Sequence, residues 1–75
     1  MVLIYTTPTC VYCKMAKEFF KKNNVEYKEF NVLEDLSARE EMFNKSHQQG
    51  VPVIDIDGTV VLGFNEPKLR ELLKL

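Results

Sequence analysis

The two cysteines of the chain, Cys10 and Cys13, are separated only by Val11 and Tyr12. A cysteine attacks a disulfide as its thiolate, so a thiol that reacts at neutral pH needs surroundings that lower its pKa. A bridge between residues three positions apart closes too small a loop to stabilise a fold substantially. The spacing therefore favours chemistry, either thiol–disulfide exchange or metal binding, over a structural disulfide.

The cysteine pair stands at the start of a segment with helical periodicity. Apolar residues follow one face of a helix predicted over 10–23: Tyr12, Met15, Ala16, Phe19 and Phe20. Cys10 would then lie at the helix N-terminus, where unpaired backbone N–H groups and the helix dipole favour an anion. Lys14 and Lys17 would add positive potential and lower the pKa of the Cys10 thiol further. We therefore expect Cys10 to attack and Cys13, one turn further along, to resolve.

The rest of the chain predicts an α/β fold with elements in the order β-α-β-α-β-β-α. Strands are predicted over 2–6, 25–32, 52–56 and 59–62. A second helix begins with Asp35 or Ser37 as its cap and fades between 46 and 50, and a third helix follows Asn65. Asp57-Gly58 is a two-residue hairpin signal. A parallel β-α-β start closed by an antiparallel hairpin implies a mixed sheet, with a core that includes Phe19, Phe20, Phe30 and Phe43.

The length and charge of the chain limit the classes of function. Seventy-five residues make one domain, 1–75, and leave no room for a second. Ten basic and eleven acidic residues nearly balance, which argues against nucleic acid or an anionic membrane as a partner. The apolar run at the N-terminus has no basic leader and is too short to span a bilayer or to serve as a signal peptide. We therefore expect a cytoplasmic protein.

The segment Thr6-Thr7-Pro8-Thr9-Cys10-Val11-Tyr12-Cys13-Lys14, with Gly50-Val51-Pro52 and Gly63-Phe64, resembles the glutaredoxin family across essentially the whole chain. The resemblance implies a thioredoxin fold, with a four-stranded mixed sheet and three helices, that reduces protein disulfides or glutathione mixed disulfides. It also implies a cis Val51–Pro52 bond that faces the cysteines. Glutathione would be a co-substrate rather than a resident cofactor. Its site would be lined by Tyr12, Val51, Pro52, Gly63, Phe64 and Asn65.

Several positions depart from the common pattern of that family. Val11 stands where many glutaredoxins have proline, and Thr7 stands where many carry a lysine that holds a glutathione carboxylate. Gly63-Phe64 is similar to the redoxins that serve ribonucleotide reductase and take electrons from thioredoxin reductase. Two alternatives therefore stay open: such a redoxin, and a metal or iron–sulfur carrier. The cysteine pair supplies two of the four ligands of structural zinc, and the single histidine, His47, lies far along the chain.

Overall fold

The computed structural model describes residues 1–48 and 50–75, which form one four-stranded sheet and three helices. The strands are β1 (Val2–Thr6), β2 (Lys28–Asn31), β3 (Val53–Ile56) and β4 (Thr59–Leu62). The helices are α1 (Val11–Lys22), α2 (Leu36–Ser46) and α3 (Glu66–Leu73). In this part of the chain, none of the helices is long and apolar enough to cross a membrane.

The sheet has the strand order β2-β1-β3-β4. Strand β1 pairs in parallel with β2 and antiparallel with β3, and β4 pairs antiparallel with β3. The predicted parallel start and antiparallel hairpin are therefore confirmed. Because β1 and β3 run in opposite directions, the chain leaves β1 towards Cys10 at the same end of the sheet where Pro52 leads into β3.

The two faces of the sheet carry separate apolar clusters, because successive strand residues point to opposite sides. Ile4 and Ile54 pack with Phe20 of α1 and Leu69 of α3 on one face. On the other face, a smaller cluster contains Tyr5 and Val53 of the sheet and Ala38 and Met42 of α2. The cysteine-bearing helix α1 therefore packs on the face with the larger apolar cluster.

The hairpin between β3 and β4 turns at Asp57-Gly58, as predicted. Both residues have positive φ, 49° and 95° respectively. A two-residue turn with left-handed conformation at both positions matches the right-handed twist of the flanking strands, and Gly58 adopts it without steric cost. The hairpin places β4, and the Gly63-Phe64 segment that follows it, beside the start of β3.

One predicted boundary was wrong, and the structure decides a second one that the sequence left open. Strand β2 begins at Lys28 rather than at 25, because the preceding residues complete the C-terminus of α1: Asn24 has a φ of 56°, and the Val25 N–H donates to the Phe20 carbonyl at 2.8 Å. Helix α2 is capped by Asp35, whose carboxylate accepts from the Ala38 N–H at 3.0 Å, and not by Ser37. In both cases a local hydrogen bond decides where the element starts.

The prediction that Phe43 belongs to the core was also wrong. Helix α2 buries Ala38 and Met42 against the sheet, whereas Phe43 is 44% exposed. One residue advances a helix by about 100°, so the residue after Met42 is carried off the buried face.

A polar network joins the last turn of α2 to the sheet. Lys45 Nζ donates to Asp55 Oδ2 at 2.7 Å and to the Tyr5 hydroxyl at 3.0 Å, and it pairs with Glu41 at 3.2 Å. Burial alone would raise the pKa of the Asp55 carboxyl, but the bonds from Lys45 and the Gly58 N–H hold it below its usual range. Burial likewise opposes the charge on Lys45, yet its three partners raise its pKa above the usual value. The network therefore keeps the buried Asp55 carboxylate paired with the partly buried Lys45 ammonium.

We predict that Lys45→Met destabilises the protein at pH 7 by about 3 kcal/mol, because it leaves the nearly buried Asp55 carboxylate without its cation. The matched control is Lys68→Met, which removes an exposed pair with Glu71 and should cost less than about 0.5 kcal/mol. Urea unfolding measures both.

Wild type and Lys45→Met should also differ in how their stability responds to acid. The lowered pKa of Asp55 stabilises the native protein above the ordinary aspartate range, and this contribution is lost as the pH falls through the lowered value. Without Lys45 the carboxyl loses that advantage, so the difference in stability between wild type and Lys45→Met should shrink between pH 6 and pH 3. A difference that stays constant over this range would show that the charge pair is not its cause.

Candidate active site

The two cysteines are joined by a disulfide at the start of α1, with their Cα atoms 5.2 Å apart. Cys10 is the N-cap residue, with extended backbone, and its sulfur accepts a hydrogen bond from the Cys13 N–H at 3.0 Å. The Cys10 sulfur thus takes the part that a serine or aspartate oxygen takes at other helix starts. Cys10 is partly exposed, whereas Cys13 is 1% exposed. The pair therefore has one accessible and one shielded sulfur.

The segment before the helix presents Cys10 at this position. The Cys10 N–H donates to the Thr7 carbonyl at 3.3 Å, which closes a turn with Pro8 at its second position, where the fixed φ of proline is favoured. The first turn of α1 contains no acidic residue. The helix N-terminus and the absence of a nearby carboxylate in that turn both favour negative charge on the Cys10 sulfur.

The two lysines predicted to act on Cys10 have different surroundings. Lys14 is exposed, whereas Lys17 pairs with Glu29 at 2.9 Å. Glu29 also accepts from the Thr6 hydroxyl at 2.7 Å, and these bonds hold the pKa of its carboxyl below the usual range despite partial burial. The Glu29 carboxylate offsets the charge of Lys17, so the pair ties α1 to the edge of the sheet. The effect of Lys14 and Lys17 on the cysteine stays a prediction.

The segment that leads into β3 lies opposite the start of the cysteine-bearing helix. The Val51–Pro52 bond is cis, and the Pro52 carbonyl accepts from the Gly63 N–H at 2.9 Å. This bond holds the segment before β3 against the segment after β4. A cleft of about 300 Å³ lies there, lined by Tyr12, Val51, Pro52, Leu62, Gly63 and Phe64.

The cleft contains five of the six residues that the resemblance assigned to a glutathione site. The sixth, Asn65, caps α3 by accepting from the Lys68 N–H at 3.3 Å, and its part in binding stays a prediction. Sequence reasoning missed Leu62, which lines the cleft and is 50% exposed. Its position next to Gly63, at the end of a predicted strand, was the available signal.

The Phe64 ring packs against Phe19 of α1, which in turn contacts Arg70 of α3. The Phe64 and Phe19 rings meet edge-to-face, with centroids 5.9 Å apart. The Arg70 guanidinium lies over the Phe19 ring at 5.2 Å and is held by Glu66 at 3.0 Å. This stack of aromatic and cationic groups fixes the Phe64 side of the cleft.

The metal-carrier alternative finds few possible ligands among the described residues. Within residues 1–48 and 50–75, no three His, Cys, Asp or Glu side chains are grouped where they could hold a metal ion. His47 is exposed at the C-cap of α2. A carrier function would therefore need ligands from another molecule in addition to the cysteine pair.

Sequence comparisons find a consistent set of relatives. A family model described as Glutaredoxin matches residues 2–61. An uncharacterised glutaredoxin-like 8.6 kDa protein in the rubredoxin operon of Clostridium pasteurianum is 46% identical over 74 residues, which are 99% of each chain. The glutaredoxin-like protein NrdH of Lactococcus lactis is 28% identical and covers 96% of this chain and 99% of its own length.

Solved structures agree with the sheet and helix arrangement. The crystal structure of a thioredoxin-like protein has a TM-score of 0.91 with 42% identity, and it covers 96% of this chain and 99% of that one. The glutaredoxin from Archaeoglobus fulgidus has a TM-score of 0.89 with 32% identity, and it covers 99% of this chain and 86% of that one. The predicted thioredoxin fold is confirmed.

We predict that iodoacetamide labels Cys10 and spares Cys13 in the reduced protein at pH 7, because only Cys10 is both accessible and stabilised as an anion by the helix start. Labelling of Cys10 should reach half its maximal rate below about pH 8.5, the ordinary value for a thiol. Mass spectrometry of peptide fragments identifies the labelled site. Cys13→Ser keeps the backbone N–H that caps Cys10 and serves as the control. First labelling at Cys13 would reverse the assignment of roles.

Proposed function

Because this chain belongs to the glutaredoxin family, we propose that it is a glutathione-linked thiol–disulfide oxidoreductase that reduces protein disulfides or glutathione mixed disulfides. The observation that carries this proposal is the cap of α1: an accessible Cys10 sulfur accepts the Cys13 N–H, and the partner sulfur is buried one turn away. Attack by Cys10 and resolution by Cys13 follow from this asymmetry in exposure.

In the first step, the Cys10 thiolate attacks one sulfur of the substrate disulfide. A new bond joins Cys10 to that sulfur, the substrate bond breaks, and the other sulfur leaves as a thiolate that takes a proton from water. The Cys13 thiolate then attacks the Cys10 sulfur and expels the second substrate thiolate. The protein has lost two electrons and holds the Cys10–Cys13 disulfide. Two molecules of glutathione return the two electrons and become one molecule of glutathione disulfide.

The helix start assists the steps in which Cys10 leaves. A thiolate of low basicity is a slower nucleophile but a better leaving group, and its larger ionised fraction roughly offsets its slower attack. The benefit is therefore greatest when glutathione attacks the glutathione sulfur of a mixed disulfide on Cys10 and expels the Cys10 thiolate. The cap at 3.0 Å is in place for that leaving group. We infer that it speeds turnover more than the first attack.

The cleft beside the cysteines supports binding of an extended peptide. Among the hydrogen bonds between described residues, none uses the backbone N–H or C=O of Val51. Val51 lines the cleft, so we propose that its backbone groups pair with a substrate or glutathione as one rung of a sheet would. Tyr12, Gly63 and Phe64 would then contact the bound molecule from the two sides.

A coupled assay tests the proposal. We expect slow but measurable reduction of a glutathionylated peptide when glutathione and glutathione reductase supply electrons. Cys10→Ser should remove all exchange. Cys13→Ser should retain reduction of glutathione mixed disulfides, because external glutathione can resolve them, and should lose reduction of protein disulfides. Substantial exchange by Cys10→Ser would contradict the mechanism.

A redoxin recharged by thioredoxin reductase is the second candidate. The match to the NrdH protein spans nearly the full length of both chains, which supports this reading. Gly63-Phe64, the segment that is similar to such redoxins, lines the cleft. The same assay with thioredoxin reductase in place of glutathione and its reductase separates the two. Rapid recharging by the reductase, with no activity from glutathione, would favour the redoxin.

We predict that Thr7→Lys lowers the KM for a glutathionylated peptide several-fold. Thr7 lies in the turn before Cys10. A lysine there would pair with a glutathione carboxylate, and one such exposed contact contributes about 1 kcal/mol to binding. Thr9→Lys makes the same charge change at an exposed residue of that turn and is the control. An equal change in KM for both variants would indicate general attraction rather than a specific contact.

A further inference from the structure

The cysteine-bearing helix carries a charge opposite in sign to that of the rest of the protein. Of the ten basic and eleven acidic residues in the chain, four lysines and one glutamate lie in α1, which gives this helix a formal charge of +3. The remaining six basic and ten acidic residues give the rest of the chain a charge of −4. Helix α1 is therefore the positive pole of the molecule, and Cys10 caps its start.

Three of the α1 lysines lie on the same side of the helix as Cys10. Lys14, Lys17 and Lys21, which we call the lysine stripe, follow Cys10 at spacings of four, three and four residues. At about 100° per residue, these spacings place the three lysines and Cys10 within a sector of about 60° around the helix axis. Lys22, the fourth lysine, points about 100° away from Lys21. The stripe is therefore a row of cations that begins at the attacking cysteine.

The contacts of the stripe leave most of its charge unneutralised. Lys17 pairs with Glu29 at 2.9 Å. Lys14 and Lys21 are exposed, and neither forms an ion pair with a residue in the described part of the chain. The Thr6 hydroxyl is the main cause of the lowered pKa of the Glu29 carboxyl, and Lys17 and Lys21 lower this pKa further. Lys21 thus lies on the same side of α1 as the Lys17–Glu29 pair, and three ammonium groups face one carboxylate.

The length of the stripe indicates the size of the anion that can use all of it. Lys21 is eleven residues beyond Cys10, which is about 16 Å at the rise of an α-helix. Because both residues lie on the same side of α1, this rise approximates the distance between them along the surface. A tripeptide such as glutathione extends over only about 10 Å. A molecule with its sulfur at Cys10 and a carboxylate at Lys21 needs about five extended residues between them, so it is a longer polypeptide.

The charge of the other elements disfavours a larger polyanion. Nucleic acids and anionic membranes present negative charge over areas wider than one helix. Such a surface would meet the net negative remainder of the chain, together with Glu18 beside the stripe and Glu29 within it. A polypeptide can place a few carboxylates against the stripe while the rest of its surface stays neutral.

We propose that the lysine stripe docks acidic residues of a polypeptide substrate beside the disulfide that Cys10 attacks. Attraction between opposite charges raises the rate of encounter, and it favours polypeptides with carboxylates within about five residues of the disulfide. This inference rests on the proposed exchange function and names its preferred substrate class. The exchange step itself is unchanged: the substrate disulfide gains two electrons as the Cys10–Cys13 bond closes.

The test uses two end-blocked peptides of eleven residues with a central cysteine, each oxidised to its symmetric disulfide dimer. One carries glutamate two and five positions on either side of the cysteine, the other carries glutamine there, and serine fills the other positions. Each dimer oxidises pre-reduced protein in a single turnover and yields two peptide thiols. Each rate is divided by the rate of the same dimer with dithiothreitol, which corrects for the effect of glutamate on the peptide disulfide itself.

The dependence on salt shows whether charge is the cause of any preference. At an ionic strength of about 0.1 M, where charges act over about 10 Å, we expect the glutamate peptide to react about 5-fold faster than the glutamine peptide. At about 1 M, where charges act over about 3 Å, the preference should fall below about 2-fold.

Two adjacent lysines provide matched variants. Lys21→Gln and Lys22→Gln remove the same charge from exposed residues in the last turn of α1, so their effects on net charge and on the helix dipole are alike. Only Lys21 belongs to the stripe. At about 0.1 M salt, Lys21→Gln should reduce the preference for glutamate about 2- to 3-fold, and Lys22→Gln less than about 1.5-fold. Oxidation by glutathione disulfide, which is too short to reach Lys21, should differ by less than about 1.5-fold among the three proteins.

The outcomes separate the stripe from the exchange function. No preference for glutamate in the wild-type protein, a preference that persists at 1 M salt, or equal losses in the two variants would overturn the stripe assignment while exchange itself stands. Inhibition of the glutamate peptide by a single-stranded oligonucleotide of equal total charge would assign the stripe to nucleic acid and overturn it as well. A wild-type protein that neither peptide nor glutathione disulfide oxidises would contradict the exchange function.

Discussion

The hydrogen bond from the Cys13 N–H to the Cys10 sulfur links the fold to the chemistry. It ends the turn that leaves β1, begins α1, and places one sulfur at the surface and the other inside. Each of those features depends on something remote from the cysteines. The packing of Ala16 and Phe20 fixes the helix on the sheet, and the Lys17–Glu29 pair holds the middle of the helix to β2. The Cys10 sulfur is thus positioned by the whole face of the sheet on which α1 lies.

Features that depend on neighbouring residues could be predicted from the sequence. The helix start at Cys10 and the Asp57-Gly58 turn depend on a few adjacent residues, and both were located correctly. The Asn65 cap belongs to the same class. The C-terminal cap at Asn24 is also local, but the alternation of Val25 and Tyr27 resembled a strand, and that signal was given too much weight. Local rules therefore succeeded where one of them applied and failed where two competed.

Features that join distant segments could not be predicted from pattern alone. Lys45 and Asp55 belong to different elements, and no periodicity indicates that they form a pair. Lys17 was predicted to act on Cys10 because it lies on the cysteine helix, and its contact with Glu29 emerges only when α1 packs beside β2. Leu62 likewise lines the cleft because strand pairing brings the end of β4 beside the start of β3. In the site, the resemblance supplied Val51 and Gly63, which charge and periodicity would not have connected.

The unequal attachment of the helices has a consequence for local opening. Helix α2 buries two side chains, Ala38 and Met42, and relies on the charged contacts of Lys45 for the rest of its hold on the sheet. Helix α1 is held by the larger apolar cluster on the other face. Charged contacts weaken in salt and acid, whereas apolar packing is far less sensitive to either. Backbone amides of α2 should therefore exchange with solvent before those of α1, and a rise in ionic strength should widen that gap. The contacts that salt and acid weaken thus lie on the face of the sheet opposite the cysteine-bearing helix.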